Sequence, residues 1–140
     1  MEVMALSAHL QFGDNKSGRY NADYLLVDCR SSFRRSHNDL RPDSAAQCES
    51  VEITVVAPGK DDMTLHKWFM NGDEMSGRIV FDLTSTASDD SNPTRILRFE
   101  DARCFVLEEM YDKHTRFRRL LKLAFEADSI TMEDIDFNKN

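Results

Sequence analysis

At 140 residues, 41% apolar and 31% charged, the chain is long enough for one domain that buries roughly two-thirds of the surface its unfolded form exposes. Its 25 acidic residues against 18 basic ones leave a net charge of −7, which argues against a general nucleic-acid binder. No apolar run approaches the ~18 residues of a membrane span, and acidic Glu2 where basic residues belong, with Ser7 and His9 breaking the apolar positions, argues against export by the general secretory route.

The first apolar pattern alternates, with Leu6, Ala8, Leu10 and Phe12 on one side and Ala5, Ser7, His9 and Gln11 on the other, which predicts a half-buried strand over residues 3–12. Gly13 to Gly18 is rich in turn-tolerant residues and leads to a second strand over Tyr20 to Phe33, so the pair reads as a hairpin. Residues 34–47 show neither helical nor strand period, and Pro42 bars an interior strand position. A loop of that length inside a compact domain is unusual and generally functional or disordered. Val51 to Val56 is the clearest strand, stopped by Pro58 and Gly59. Asp61 or Asp62 can then cap a helix carrying Leu65, Trp68 and Phe69 at i, i+3, i+4 spacing, which Asn71-Gly72 ends. So short a helix must dock on the sheets, plugging a barrel end and placing Trp68 in the core.

A fourth strand follows from Gly77 to Leu83, with Ile79, Phe81 and Leu83 inward, and a polar loop from Thr84 to Pro93. Two further strands, Ile96 to Phe99 and Cys104 to Met110, flank a charged kink at Glu100-Asp101. The second is apolar on both faces around Cys104 to Leu107, so it needs a neighbour on each side and hints at assembly. Tyr111 to Thr115 turns the chain, and Arg119 to Ala127 supplies a last long strand with Leu121, Leu123 and Phe125 on one face. The expectation is about seven strands and one short helix.

Catalytic chemistry is missing from this pattern. The four histidines, His9, His37, His66 and His114, fall on separate elements with no metal-ligand spacing, and the three cysteines, Cys29, Cys48 and Cys104, read as reduced thiols rather than a disulfide or zinc framework. No glycine-rich phosphate loop occurs, and the adjacent carboxylates Glu100-Asp101 and Glu108-Glu109 point to opposite strand faces. Asp89-Asp90 lacks the calcium-loop spacing. The basic run Arg116 to Arg119 reads as a solvated or interfacial face. No catalytic residue, cofactor or metal is expected.

Taken in order, Leu65-His66-Lys67-Trp68-Phe69, Ser76 to Phe81, Leu97 to Cys104, Glu109-Met110-Tyr111-Asp112 and the closing Asp136-Phe137-Asn138 resemble the Hcp (TssD) tube protein of the type VI secretion system, in its Bacteroidetes-type form. The resemblance implies a mainly β fold of two packed antiparallel sheets forming a small β-barrel, with one short helix and a long extended loop, in a single domain over residues 1–140. It also implies hexameric rings that stack into a tube, expelled from the bacterial cytoplasm by a contractile sheath behind a spike. Effector cargo in the lumen is implied too; nucleic acid, membrane insertion and an active site are not. On that basis the 35–47 loop reaches neighbouring subunits, and the expected interface residues are Arg35, His37, Leu40, Arg41, Pro42, Phe105, Leu107, Arg116 and Arg118. Glu133, Asp134 and Asp136 would face the basic run of a neighbour. The competing reading is a monomeric barrel with a ligand cavity lined by Phe12, Ile53, Phe81 and Phe99. It fails if the helix stripe fills that space. A hydrolytic effector would need a convergent polar site that the sequence does not supply.

Overall fold

A computed structural model describes residues 7–35, 46–82, 94–111, 113, 119–132 and 135–138. In chain order the elements are β1 (Ser7–Asp14), β2 (Arg19–Arg35), β3 (Ala46–Val56), α1 (Thr64–Asn71), β4 (Met75–Asp82), β5 (Thr94–Tyr111), β6 (Arg119–Met132) and β7 (Ile135–Asn138). The seven strands form one antiparallel sheet in the order β3-β2-β1-β4-β5-β6-β7, and β3 also pairs with β6. That last ladder, from Val51↔Phe125 to Val56↔Leu120, closes six strands into a barrel, and β7 continues along β6 from Ser129 to Met132. The two expected sheets are therefore opposite walls of one barrel. Closure removes the open edges that a flat sheet would present.

Alternation decides what goes inside. Ala8, Leu10 and Phe12 of β1, Val51, Ile53 and Val55 of β3, and Leu121, Leu123 and Phe125 of β6 are all buried, as their period of two requires. Leu65 and Trp68 of α1 complete the core at one turn's spacing. The Phe12 ring meets Trp68 edge-on at 5.1 Å, Trp68 meets Phe125 at 5.3 Å, and Phe125 meets Phe99 at 4.9 Å. Such ring pairs add about 0.5–1.5 kcal/mol each beyond the area they bury. Phe12, Ile53 and Phe99 thus share one buried cluster with Leu65 and Trp68, with Phe81 packed at its margin. The positions that would line a ligand cavity are filled by the helix.

Several elements differ from expectation. Arg34 pairs with Gln47 and Arg35 with Ala46, so the β2–β3 ladder takes in both ends of the segment read as loop, and residues 36–45 lie outside the described residues. Leu6, Leu83 and the 83–93 loop also lie outside them. Asp62 does receive the Thr64 amide at 3.0 Å, but the capping position itself is Met63, which makes no side-chain cap bond. Phe69, expected in the buried stripe, is 39% exposed, because it sits one helical step around from Trp68, on the flank of the docked face. Gly72 ends α1 in the left-handed region at φ 69°, as Asn71-Gly72 predicted. The two strands expected around the Glu100-Asp101 kink are one bent strand, β5.

Candidate interaction surface

The bend in β5 is built by residues that tolerate it. Asp101 has φ 55°, a left-handed conformation that a short polar side chain accepts more readily than a branched one. Its amide donates to Ser76 Oγ at 3.0 Å. On the β4 side the register slips between Met75 and Gly77, while the ladder to β6 runs unbroken from Leu97↔Met132 to Cys104↔Phe125. Asn15, in the β1–β2 turn, reaches across and donates from Nδ2 to the carbonyls of Gly77 at 3.0 Å and Phe99 at 3.1 Å, and to Glu100 Oε2 at 2.9 Å. Gly77 lets the β4 backbone lie close against β1, since a Cβ there would strike the Gln11 carbonyl oxygen. β4 leaves β5 at Ala102, and Trp68 Nε1 donates to the Ala102 carbonyl at 3.0 Å. The helix takes over where the strand ends.

A second irregularity turns apolar side chains outward. Between Cys104 and Val106 the ladder to β6 shifts by one residue, so Phe105 and Val106 both face out, 49% and 41% exposed, while Cys104 is buried and Leu107 packs against the core. With Glu52, Glu108, Lys122 and Leu123 the exposed pair lines a groove of about 280 Å³ on the outside of the β3–β6–β5 wall. A smaller hollow beside it, about 30 Å³, carries Asp28, Arg30, Glu52, Thr54 and Lys122, a charged strip on the same wall.

Polar groups elsewhere tie α1 down. His66 Nε2 lies 3.5 Å from Glu109 Oε1, and Glu109 Oε2 accepts from Tyr111 at 2.8 Å and from Arg119 Nε at 2.9 Å. These bonds, Tyr111 first and then Arg119, hold the Glu109 carboxyl below the usual range, and Glu109 in turn raises the Tyr111 hydroxyl. Asp62 is lowered in the same way by its bonds to Thr64 and accepts the Tyr24 hydroxyl at 3.1 Å. Burial pushes the Cys104 thiol up to about 11, which makes it a poor nucleophile. Among the described residues no group of three or more His, Cys, Asp or Glu could hold a metal ion, and no helix is long and apolar enough to cross a membrane.

Of the residues expected at an interface, Phe105 lies in the outer groove and Leu107 turns inward against the core. Arg35 ends β2. His37, Leu40, Arg41, Pro42, Arg116 and Arg118 lie outside the described residues, as do Glu133 and Asp134. Val106 was missed. Its exposure follows from a register shift against β6 that no pattern within β5 encodes.

Among the described residues the barrel core is packed by the helix and an apolar groove lies on its outer wall. The family model described as "Hemolysin coregulated protein Hcp (TssD)" matches residues 4–140. The chain therefore belongs to the Hcp (TssD) family, the tube proteins of the type VI secretion system, which is a structural family and not an enzyme family. Among solved structures it is similar to Hcp1 from Flavobacterium johnsoniae, with 19% identity, a TM-score of 0.66, and 97% of this chain and 100% of that one covered. An Hcp protein structure gives 11% identity, a TM-score of 0.67, and 97% and 98% coverage. Hcp1 from Salmonella typhimurium gives 10%, 0.64, 94% and 88%. At these identities the likeness establishes the fold. No curated protein sequence matches the chain.

Proposed function

We propose that this chain forms hexameric rings that stack head to tail into the inner tube of a type VI apparatus, held in the bacterial cytoplasm until the sheath contracts, then expelled behind a spike with effector cargo in the lumen. The match of residues 4–140 to the Hcp family carries this reading. A heterologous contact repeated about a closed rotation makes a ring, and a second one along the axis makes a filament. The exposed Phe105 on the outer wall supports a ring contact, with Val106 beside it in place of the inward Leu107. For the axial contact we retain Arg35, His37, Leu40, Arg41 and Pro42, with Arg116 and Arg118 meeting the acidic Glu133, Asp134 and Asp136 of a neighbour. Each exposed ion pair there would add only about 0–1 kcal/mol. The subunit acts by assembling, without catalysis.

Light scattering and negative-stain images of the purified chain test the reading: ring-sized particles are expected, and a strict monomer at high concentration would refute it. Replacing Leu40, Arg41 and Pro42 by glycine and serine is expected to abolish tubes and leave single rings. Tubes that survive the change would remove the 35–47 segment from the axial contact.

A further inference from the structure

The outer groove and the free face of α1 look made for each other. Met63, Lys67 and Met70 stand at i, i+4 and i+7, so they form one stripe along the helix, opposite the buried Leu65 and Trp68. Met63 is 42% and Met70 76% exposed, with Phe69 39% exposed on the flank. Three large apolar side chains facing outward around so short a helix are a patch rather than scattered exposure. Methionine suits a surface that must fit an irregular groove, since its unbranched thioether adapts to the space offered.

The groove offers the complement. Phe105 and Val106 make its apolar part, and Glu52 and Glu108 stand against a single cation, Lys122. A ligand-sized pocket begins at ~300 Å³, so about 280 Å³ suits one or two large side chains. Among the described residues Lys67, Glu52, Glu108 and Lys122 enter no ion pair. Lys67 lies between the two methionines, where it would meet the surplus carboxylate while Met63 and Met70 cover Phe105 and Val106.

One molecule cannot make this contact with itself. The inner face of α1 is pinned to β5 by the bond from Trp68 to the Ala102 carbonyl and by the His66–Glu109 pair, whereas the groove opens on the outside of β3, β6 and β5. Two different, complementary patches on one chain give a heterologous contact, the kind that closes a ring. We infer that the Met63–Lys67–Met70 stripe of one subunit seats in the Phe105–Val106 groove of the next copy, forming the contact around the ring. The inference rests on the ring reading above and says which surfaces meet.

The test uses the full-length chain carrying Met70→Cys with Val106→Cys, oxidised with copper-phenanthroline and run on a non-reducing gel. A ladder of reducible multimers is expected, absent from each single variant. In parallel, Lys67→Glu is expected to lose rings while melting as the unaltered chain does, and adding Glu108→Lys is expected to restore them. If the unaltered chain forms rings yet the double-cysteine variant gives no ladder beyond its single-cysteine controls, the inference is overturned and the ring reading stands. Rings that persist in Lys67→Glu also overturn it, and leave the groove to some other protein. An unaltered chain that stays monomeric overturns both.

Discussion

The first half of β5, Thr94 to Ala102, pairs with β4 and from Leu97 onward with β6 as well, and its Leu97 and Phe99 are fully buried. The second half, Arg103 to Tyr111, has only β6 as a strand neighbour, and there Phe105 and Val106 face outward. Both halves are rich in apolar residues, and both pair with the same strand. What separates them is the bend at Asp101, the departure of β4 at Ala102 and the bulge before Val106. A strand enclosed on both edges builds the domain, and the continuation of that strand past its second neighbour builds a surface. Apolar content alone does not tell the two apart.

The contrast can be broken from the helix side. Trp68→Ala removes the ring that packs on Phe12 and Phe125 and leaves the Ala102 carbonyl without its donor, at an expected loss of about 3–5 kcal/mol in denaturant unfolding. Hydrogen exchange should rise first in residues 103–111, which rely on α1 for cover. A loss below about 1 kcal/mol would mean that α1 does not seal the barrel.

At the bend, Asp101→Val forces a branched side chain into φ 55° and is expected to cost about 1–2 kcal/mol, whereas Asp101→Gly should match or exceed the unaltered chain. Equal stabilities for the valine and glycine variants would show that the kink relaxes. Asp62→Ala removes the acceptor of the Thr64 amide and the Tyr24 hydroxyl, with a loss of about 1 kcal/mol expected by thermal or chemical denaturation.

The same contacts set an acid limit. Asp62 and Glu109 ionise below their ordinary values of 3.8 and 4.5, because hydrogen bonds favour their charged forms in the folded chain. A carboxyl depressed on folding stabilises fully above its unfolded value, and that support fades as pH falls through the lower folded value. Tm should therefore drop as pH is lowered below about 4.5, and the drop should be shallower in Asp62→Asn combined with Glu109→Gln. An unchanged acid slope in the double variant would assign the loss to other groups. The smallest effect on folding is expected in the outward region: Phe105→Ser should leave subunit stability within about 0.5 kcal/mol while abolishing rings, read by unfolding and light scattering together.

Much of the barrel was legible in the chain. The strict alternation of β1 and β6, the Leu65 and Trp68 spacing and the Asn71-Gly72 stop are local patterns, and the structure keeps each of them. The ladder from Arg34↔Gln47 to Arg35↔Ala46 was not legible, because paired backbone amides and carbonyls need no apolar alternation beside them. The outer groove was only half legible: alternation offers Phe105 with Leu107 or Cys104 with Val106 as the outward pair, and the structure puts Phe105 and Val106 outside.

By itself, then, the sequence determined where the central part of most strands lies, which helix face is apolar, and that the chain's ordered segments resemble the Hcp family. Those properties are carried by residue types at fixed local spacing, which each segment satisfies alone. Only the tertiary structure decided that β3 meets β6, that β5 is one strand, and that Val106 is outside and Leu107 inside. A one-residue shift in register moves every later side chain to the other face, and register is settled between strands, not within one.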